Sequence, residues 1–76
     1  MDLYAVIMVW DIKSNVHLYK TTAANLSVKA NIDYATYITL LRNSFGDALE
    51  KTIKAMKAEY GSEAEITLLS HSITKM

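Results

Sequence analysis

Residues Leu3-Tyr4-Ala5-Val6-Ile7-Met8-Val9-Trp10 form an unbroken apolar and aromatic run, and no other part of the chain has one. The run is about half the length a membrane span needs. It reads as a β-strand covered on both faces, or covered on one face and adhesive on the other. Period-two alternation sends Leu3, Ala5, Ile7 and Val9 one way, and Tyr4, Val6, Met8 and Trp10 the other. Both sets are apolar, so the strand, read from Asp2 to Trp10, is expected at the centre of its sheet.

Working outward, Asp11-Ile12-Lys13-Ser14-Asn15 has turn chemistry, because Asp and Asn side chains bond to nearby backbone. Val16 to Thr22 is read as a second strand, with Val16, Leu18 and Lys20 on one face and His17, Tyr19 and Thr21 on the other. Two strands joined by a short turn predict an antiparallel hairpin. Ala23 to Asn31 is open to two readings: a short third strand through Leu26, Val28 and Ala30, or a helix capped by Asn25. The extended reading is preferred, since Ser27, Val28 and Asn31 are poor helix formers.

From Asp33, a candidate N-cap, the period changes to helical. Tyr34, Tyr37, Ile38 and Leu41 fall at i, i+3, i+4 and i+7, which places both tyrosines on the core side. Asn43-Ser44 interrupts the pattern, and Ser44-Phe45-Gly46-Asp47 resembles a capping box with Asp in place of Glu. Residues 33–60 are therefore one helix or two, stopped by Gly61. Glu63 to Lys75 is read as the last strand. Ala64, Ile66, Leu68, Ser70 and Ser72 take one face; Glu65, Thr67, Leu69, His71 and Ile73 take the other. The expected fold is α+β: an antiparallel sheet of three or four strands with one or two helices packed on one face, in the order β-β-(β)-α-α-β, the closing strand beside the opening one.

Length and composition bound the function. The chain has 76 residues, which is one domain, 1–76. A domain of this size buries only about 60–65% of its unfolded surface and commonly needs a staple or a partner. It has no cysteine, so disulfides, thiolate metal sites and thiol catalysis are excluded. Eight basic and eight acidic side chains balance, leaving no net field to select nucleic acid or an anionic membrane. Met-Asp supplies no basic signal-peptide start, so a cytoplasmic location is expected.

Catalytic and metal motifs are sparse. Two glycines are too few for a phosphate-cradling loop. His17 and His71 have no metal-ligand spacing, and Ser70, His71 and Ser72 alternate between faces, which separates nucleophile from base. No enzyme activity, metal or cofactor is expected. A nucleic-acid alternative rests on Lys20, Lys51, Lys54 and Lys57, with Tyr19 beside Lys20 as a stacking ring. The aromatics carry the preferred reading. Tyr4, Met8 and Trp10 share a strand face, and Tyr, Trp and Met are enriched at interfaces. With only one layer of helix to cover a doubly apolar strand, Tyr4, Met8, Trp10 and Tyr19 are the candidate contacts for a protein target or a second copy.

The opening, Met1-Asp2-Leu3, Val6-Ile7-Met8-Val9, Ile12-Lys13 and Leu18-Tyr19-Lys20, resembles the N-terminal hairpin of the Dmd-type antitoxins of T-even phages. That resemblance spans about the first twenty residues. It implies a small protein of the host cytoplasm that neutralises a ribonuclease toxin by binding it. The size and cysteine-free make-up are likewise similar to small phage inhibitors that act by stoichiometric binding, anti-CRISPR proteins included. The resemblance assigns no site residue.

Overall fold

The computed structural model describes all 76 residues. Four elements make up the chain: β1 (Asp2–Lys13), β2 (His17–Val28), α1 (Tyr34–Tyr60) and β3 (Glu65–Lys75). The sheet order is β2-β1-β3, both pairings antiparallel, so the doubly apolar strand is central as its sequence predicts. β2 and β3 thus run parallel to each other with β1 between them, which makes β2-α1-β3 a split β-α-β unit. The architecture is α+β, a three-stranded sheet with one helix packed on it.

Both hairpin strands are longer than their apolar cores suggest. β1 runs on through Asp11, Ile12 and Lys13, and the reversal is confined to Ser14–Val16, where the Ser14 amide donates to the Val16 carbonyl at 2.9 Å. The separate strand expected within Ala23–Asn31 is instead the continuation of β2. No glycine or proline breaks the chain there, and Asn25 and Ser27 take ladder positions opposite Ala5 and Leu3. Ala24, Leu26 and Val28 pair with Val6, Tyr4 and Asp2, extending one ladder to the end of β1. The chain then turns through Asn31, which adopts φ 59°, a left-handed conformation that asparagine tolerates.

α1 is a single helix. Asp33 caps it, accepting from the Thr36 amide at 3.1 Å and from the Thr36 hydroxyl at 2.7 Å. Gly61, at φ 112°, stops it, its amide donating to the Lys57 carbonyl at 2.9 Å. Asn43, Ser44 and Gly46 do not break it, and the expected capping box at Ser44 is not formed. Leu41, Phe45, Ala48, Leu49, Ile53, Met56 and Tyr60 pack on the sheet core and hold the helix through that weak stretch. Helix stability in proteins comes mostly from such packing, which outweighs the penalty of about 1 kcal/mol for a mid-helix glycine. Tyr34, placed on the core side by spacing, lies 78% exposed. The first turn overhangs the sheet, and only Tyr37 reaches back.

The core is one cluster: Val6, Met8, Trp10 and Ile12 from β1, Leu26 from β2, and Met56 from α1. Trp10 is its largest member, and its indole N–H donates to the Thr22 hydroxyl at 2.8 Å. At the far end the Tyr37 hydroxyl donates to Asp2 at 2.8 Å and also bonds the Tyr4 hydroxyl, tying the start of α1 to the start of β1. Asp2 is in addition 3.5 Å from the Lys75 ammonium.

Candidate interaction surface

The helix takes the even-numbered side of β1. Val6, Met8, Trp10 and Ile12 are buried to 1% exposure or less. This overturns the expectation that Tyr4, Met8 and Trp10 meet a partner. Met8 and Trp10 are core residues, and Tyr4 is half-buried with its hydroxyl engaged by Tyr37. The physical reason lies in side-chain bulk and in the residues that succeed Trp10. The larger side chains fill the wedge between sheet and helix. The even series also continues into apolar Ile12, whereas the odd series continues into Asp11 and Lys13. Those two residues are the signal that identifies the wet face, and it is lost when 11–15 is read as turn.

Nothing in the chain covers the odd side. Leu3 and Ile7 are 46% and 43% exposed, with Ala5 and Val9 between and beyond them. The register places Ser27, Asn25, Ala23 and Thr21 of β2 beside Leu3, Ala5, Ile7 and Val9 on one flank. On the other flank stand Thr74, Ser72 and Ser70 of β3, opposite Ala5, Ile7 and Val9. The Met76 amide donates to the Leu3 carbonyl at 2.8 Å, so Met76 lies beside Leu3 and extends the apolar end. The result is an uncharged face with Leu3, Ala5, Ile7 and Val9 along its centre and serines, threonines, Asn25 and Ala23 along its flanks.

A β-bulge puts the small residues of β3 there. The register shifts between Val9 and Trp10, with Leu69 as the extra residue. Strict alternation would assign Ser70 and Ser72 to the side of Ile66 and Leu68, with His71 and Ile73 opposite. After the bulge the assignment reverses. Ser70 and Ser72 join the open face, while His71 and Ile73 turn to the helix side. His71 there packs against Phe45, ring centroids 4.9 Å apart.

The charged groups sit at one end of the open face. The Asp11 carboxylate lies 2.5 Å from the His17 ring nitrogen, and Lys13 is paired in register with both His17 and Glu65. Tyr19 stands at this end, 67% exposed, its ring 5.5 Å from that of His17. Of the four candidate contacts it is the one on the free surface. From Leu3 to Val9, and on the flanking rows of β2 and β3, no side chain is charged.

The other candidates are dispersed. Lys20 is on the helix side, back to back with Tyr19, and its ammonium donates to Glu59 at 2.8 Å and lies 5.3 Å from the Tyr60 ring centroid. That bond raises the Lys20 pKa and lowers that of Glu59. Lys51, Lys54 and Lys57 are exposed on α1, interspersed with Asp47, Glu50 and Glu59. The four lysines therefore do not share a surface with Tyr19. His17 and His71 stand on opposite faces of the sheet, and so do His71 and its serine neighbours. A concavity of about 580 Å³ is a shallow cleft at the sheet end lined by Lys13, Asn15, Glu63 and Glu65 among others. No helix is long and apolar enough to cross a membrane.

Comparison with known proteins returns no relative: no family model matches this chain, and no curated protein or solved structure matches it.

Proposed function

We propose that this chain is a non-enzymatic protein-binding module that acts by stoichiometric contact, and that its contact surface is the open face of the sheet. The observation that supports this reading is the uncharged apolar row Leu3, Ala5, Ile7 and Val9, left without cover on the central strand. Monomeric proteins rarely expose contiguous apolar patches beyond a few hundred Å², and larger ones mark sites of association. The polar flanks of Thr21, Asn25, Ser27, Ser70 and Ser72 form a rim whose hydroxyls and amide can pair with a partner's backbone or with trapped water. The absence of charge along the row favours a protein surface over a phosphate backbone, which would call for several lysines or arginines. In the form that the hairpin resemblance implies, the module is a phage-type inhibitor or antitoxin acting in the host cytoplasm.

The test is a comparison of three tagged proteins as baits: the unaltered chain, Ile7→Asp on the open face and Lys54→Glu on the outer helix. The reading expects a partner retained by the first and third and lost by the second. Equal retention by all three removes the open face from function. For the antitoxin form, co-expression with a growth-arresting ribonuclease toxin is expected to restore growth in an Ile7-dependent way.

A further inference from the structure

We infer that the free edge of β2 receives an extended segment of a partner protein, which adds to the sheet as a fourth, antiparallel strand along Thr21–Ser27. The site lies at the margin of the sheet, beside the open face. It adds a second contact to the protein-binding reading and is tested apart from the first.

The two outer strands of the sheet differ in how their edges are guarded. Proteins blunt such edges with charge, proline, bulges or short strands, because unpaired backbone recruits another chain. β3 carries the Leu69 bulge and has Glu65 and Lys75 at its ends. β2 pairs with β1 in unbroken register over all 12 residues. It has no proline, and no side chain from Thr21 to Val28 is charged. Its one lysine, Lys20, is drawn to Glu59 on the helix.

Register fixes which backbone groups point outward. Alternate residues of a strand direct their N–H and C=O to opposite neighbours. The Leu3 carbonyl accepts from the Met76 amide on the β3 side, and the Ser14 amide donates to the Val16 carbonyl across the hairpin. Even-numbered residues of β1 therefore bond to β2, where their partners are also even-numbered. Tyr19, Thr21, Ala23, Asn25 and Ser27 are left with amide and carbonyl directed away from the sheet. Another extended backbone repeats donors and acceptors at that spacing, which is how strand addition gains its affinity. Antiparallel addition follows the two ladders already present.

The helix beside this edge tells a foreign segment from a second copy. α1 packs nearer to β2 than to β3. Between α1 and the β2 edge runs a groove of about 300 Å³, lined by Ala24, Leu26, Asp47, Ala48, Lys51 and Thr52 among others. A strand added about 4.8 Å outside β2 points alternate side chains into it. Ala24, Leu26 and Ala48 give it aliphatic walls, and Asp47 and Lys51 offset each other in charge. It fits an uncharged aliphatic side chain. A second copy pairing through its own β2 has only Thr22 and Ala24 to offer there. Its Leu18, Leu26 and Val28 are packed beneath its own helix, and its Lys20 is held by Glu59. The occupant is therefore a partner segment with a larger aliphatic residue at its centre.

The probe is the peptide acetyl-Lys-Ser-Thr-Ser-Leu-Ser-Thr-Ser-Lys-amide, whose leucine and threonines share one side when extended. Titrated into the isotope-labelled protein, it is expected to shift the amide resonances of Thr21–Ser27, Ala48 and Lys51 and to slow hydrogen exchange at Ala23 and Asn25. In antiparallel pairing its serines bond to the outward residues of β2. Methylating the serine nitrogens should therefore weaken binding by about tenfold or more, whereas methylating the leucine and threonine nitrogens should change it by less than about twofold. Ala23→Pro removes an outward N–H, spares the β1–β2 ladder and should abolish binding. Should it fail to fold, the two methylated peptides test the same bonds on the unaltered chain. No shift by about 2 mM peptide overturns the inference, and so does equal binding of the serine-methylated peptide. Shifts centred on Leu3 and Ile7 also overturn it, as does a doubling of the 8.5 kDa mass that Ala23→Pro abolishes, which gives the edge to a second copy. Ile7→Asp should leave peptide binding unchanged, so loss of a target through Ile7→Asp bears on the open face alone.

Discussion

The indole N–H of Trp10 donates to the hydroxyl of Thr22 at 2.8 Å, across the β1–β2 ladder and beneath the helix. Trp10 is 1% exposed, so this bond satisfies the one polar atom that the largest core side chain carries. Thr22→Val keeps the shape and leaves that donor without an acceptor. The expected cost is about 1–3 kcal/mol, the penalty for an unpaired buried polar group. Trp10 is the single tryptophan, so its fluorescence in a urea titration reports the loss directly. Unchanged stability in Thr22→Val means that the indole finds another acceptor.

Gly46 lies inside α1, and a Cβ built on it meets no atom within 4 Å. Gly46→Ala is therefore expected to stabilise the fold by about 0.5–1 kcal/mol, by reducing the freedom of the unfolded chain at a position whose helical backbone any residue adopts. A thermal melt should rise by several degrees for a domain of this size. A fall in Tm would show that the helix surface at Gly46 is needed for close approach by something else.

Leu69 is the extra residue of the β3 bulge, and Leu68 and Ser70 already pair with Trp10 and Val9. Deleting Leu69 joins those two partners into a regular ladder without moving any other side chain to the opposite face. The deletion is expected to fold. Deleting Thr67, two residues earlier, leaves the strand one residue short ahead of Leu68 and turns Ile66 and Ala64 away from the core. It should unfold the protein or cost several times more. Amide hydrogen exchange along β3 separates the two, and equal damage from both deletions would refute this role for Leu69.

Three carboxylates are held below their ordinary pKa. Hydrogen bonds from the Thr36 hydroxyl and amide lower Asp33, that from Tyr37 lowers Asp2, and that from Lys20 lowers Glu59. A folded pKa below the unfolded one contributes stability that is present above the unfolded value, near 4, and lost as pH falls through the folded value. The urea midpoint should be level from neutral pH down to about 5 and drop below about 4. Asp33→Asn keeps an N-cap acceptor but cannot titrate, so its midpoint should fall less steeply in acid. A slope identical to that of the unaltered chain would remove Asp33 from the acid response.

Tyr37 moves the other way. Its hydroxyl bonds with Tyr4, its partial burial and its bond to Asp2 all raise its pKa above the usual tyrosine value. Stability from this group is present below the unfolded pKa and lost as pH rises through the folded one. In an absorbance titration one of the five tyrosines should ionise only after the rest, and Tyr37→Phe should remove that late step. If the late step persists in Tyr37→Phe, another tyrosine is its source.

Local patterning made much of the fold legible. The apolar run marked a central strand because only burial stabilises eight such residues in a row. Asp33 and Gly61 bounded the helix because capping is a local hydrogen-bond requirement. Other features lay beyond it. Ala23–Val28 extends β2 because β1 is long enough to pair with it, and α1 runs unbroken past Asn43, Ser44 and Gly46 because the sheet holds Leu41, Phe45 and Leu49.

The sequence by itself determined an α+β chain organised on Leu3–Trp10, with more apolar strand surface than one helix layer can cover. Strand pairing decided which side stayed bare, because it carries β1 on through Asp11 and Lys13, the residues that mark the wet face. Both faces of Leu3–Trp10 are apolar, so alternation within that run could not rank them. The packing wedge takes bulky Val6, Met8, Trp10 and Ile12 beneath Met56 and leaves Leu3, Ala5, Ile7 and Val9 outside. The Leu69 bulge then brought Ser70 and Ser72 round to flank them, a one-residue shift of register that only strand pairing reveals.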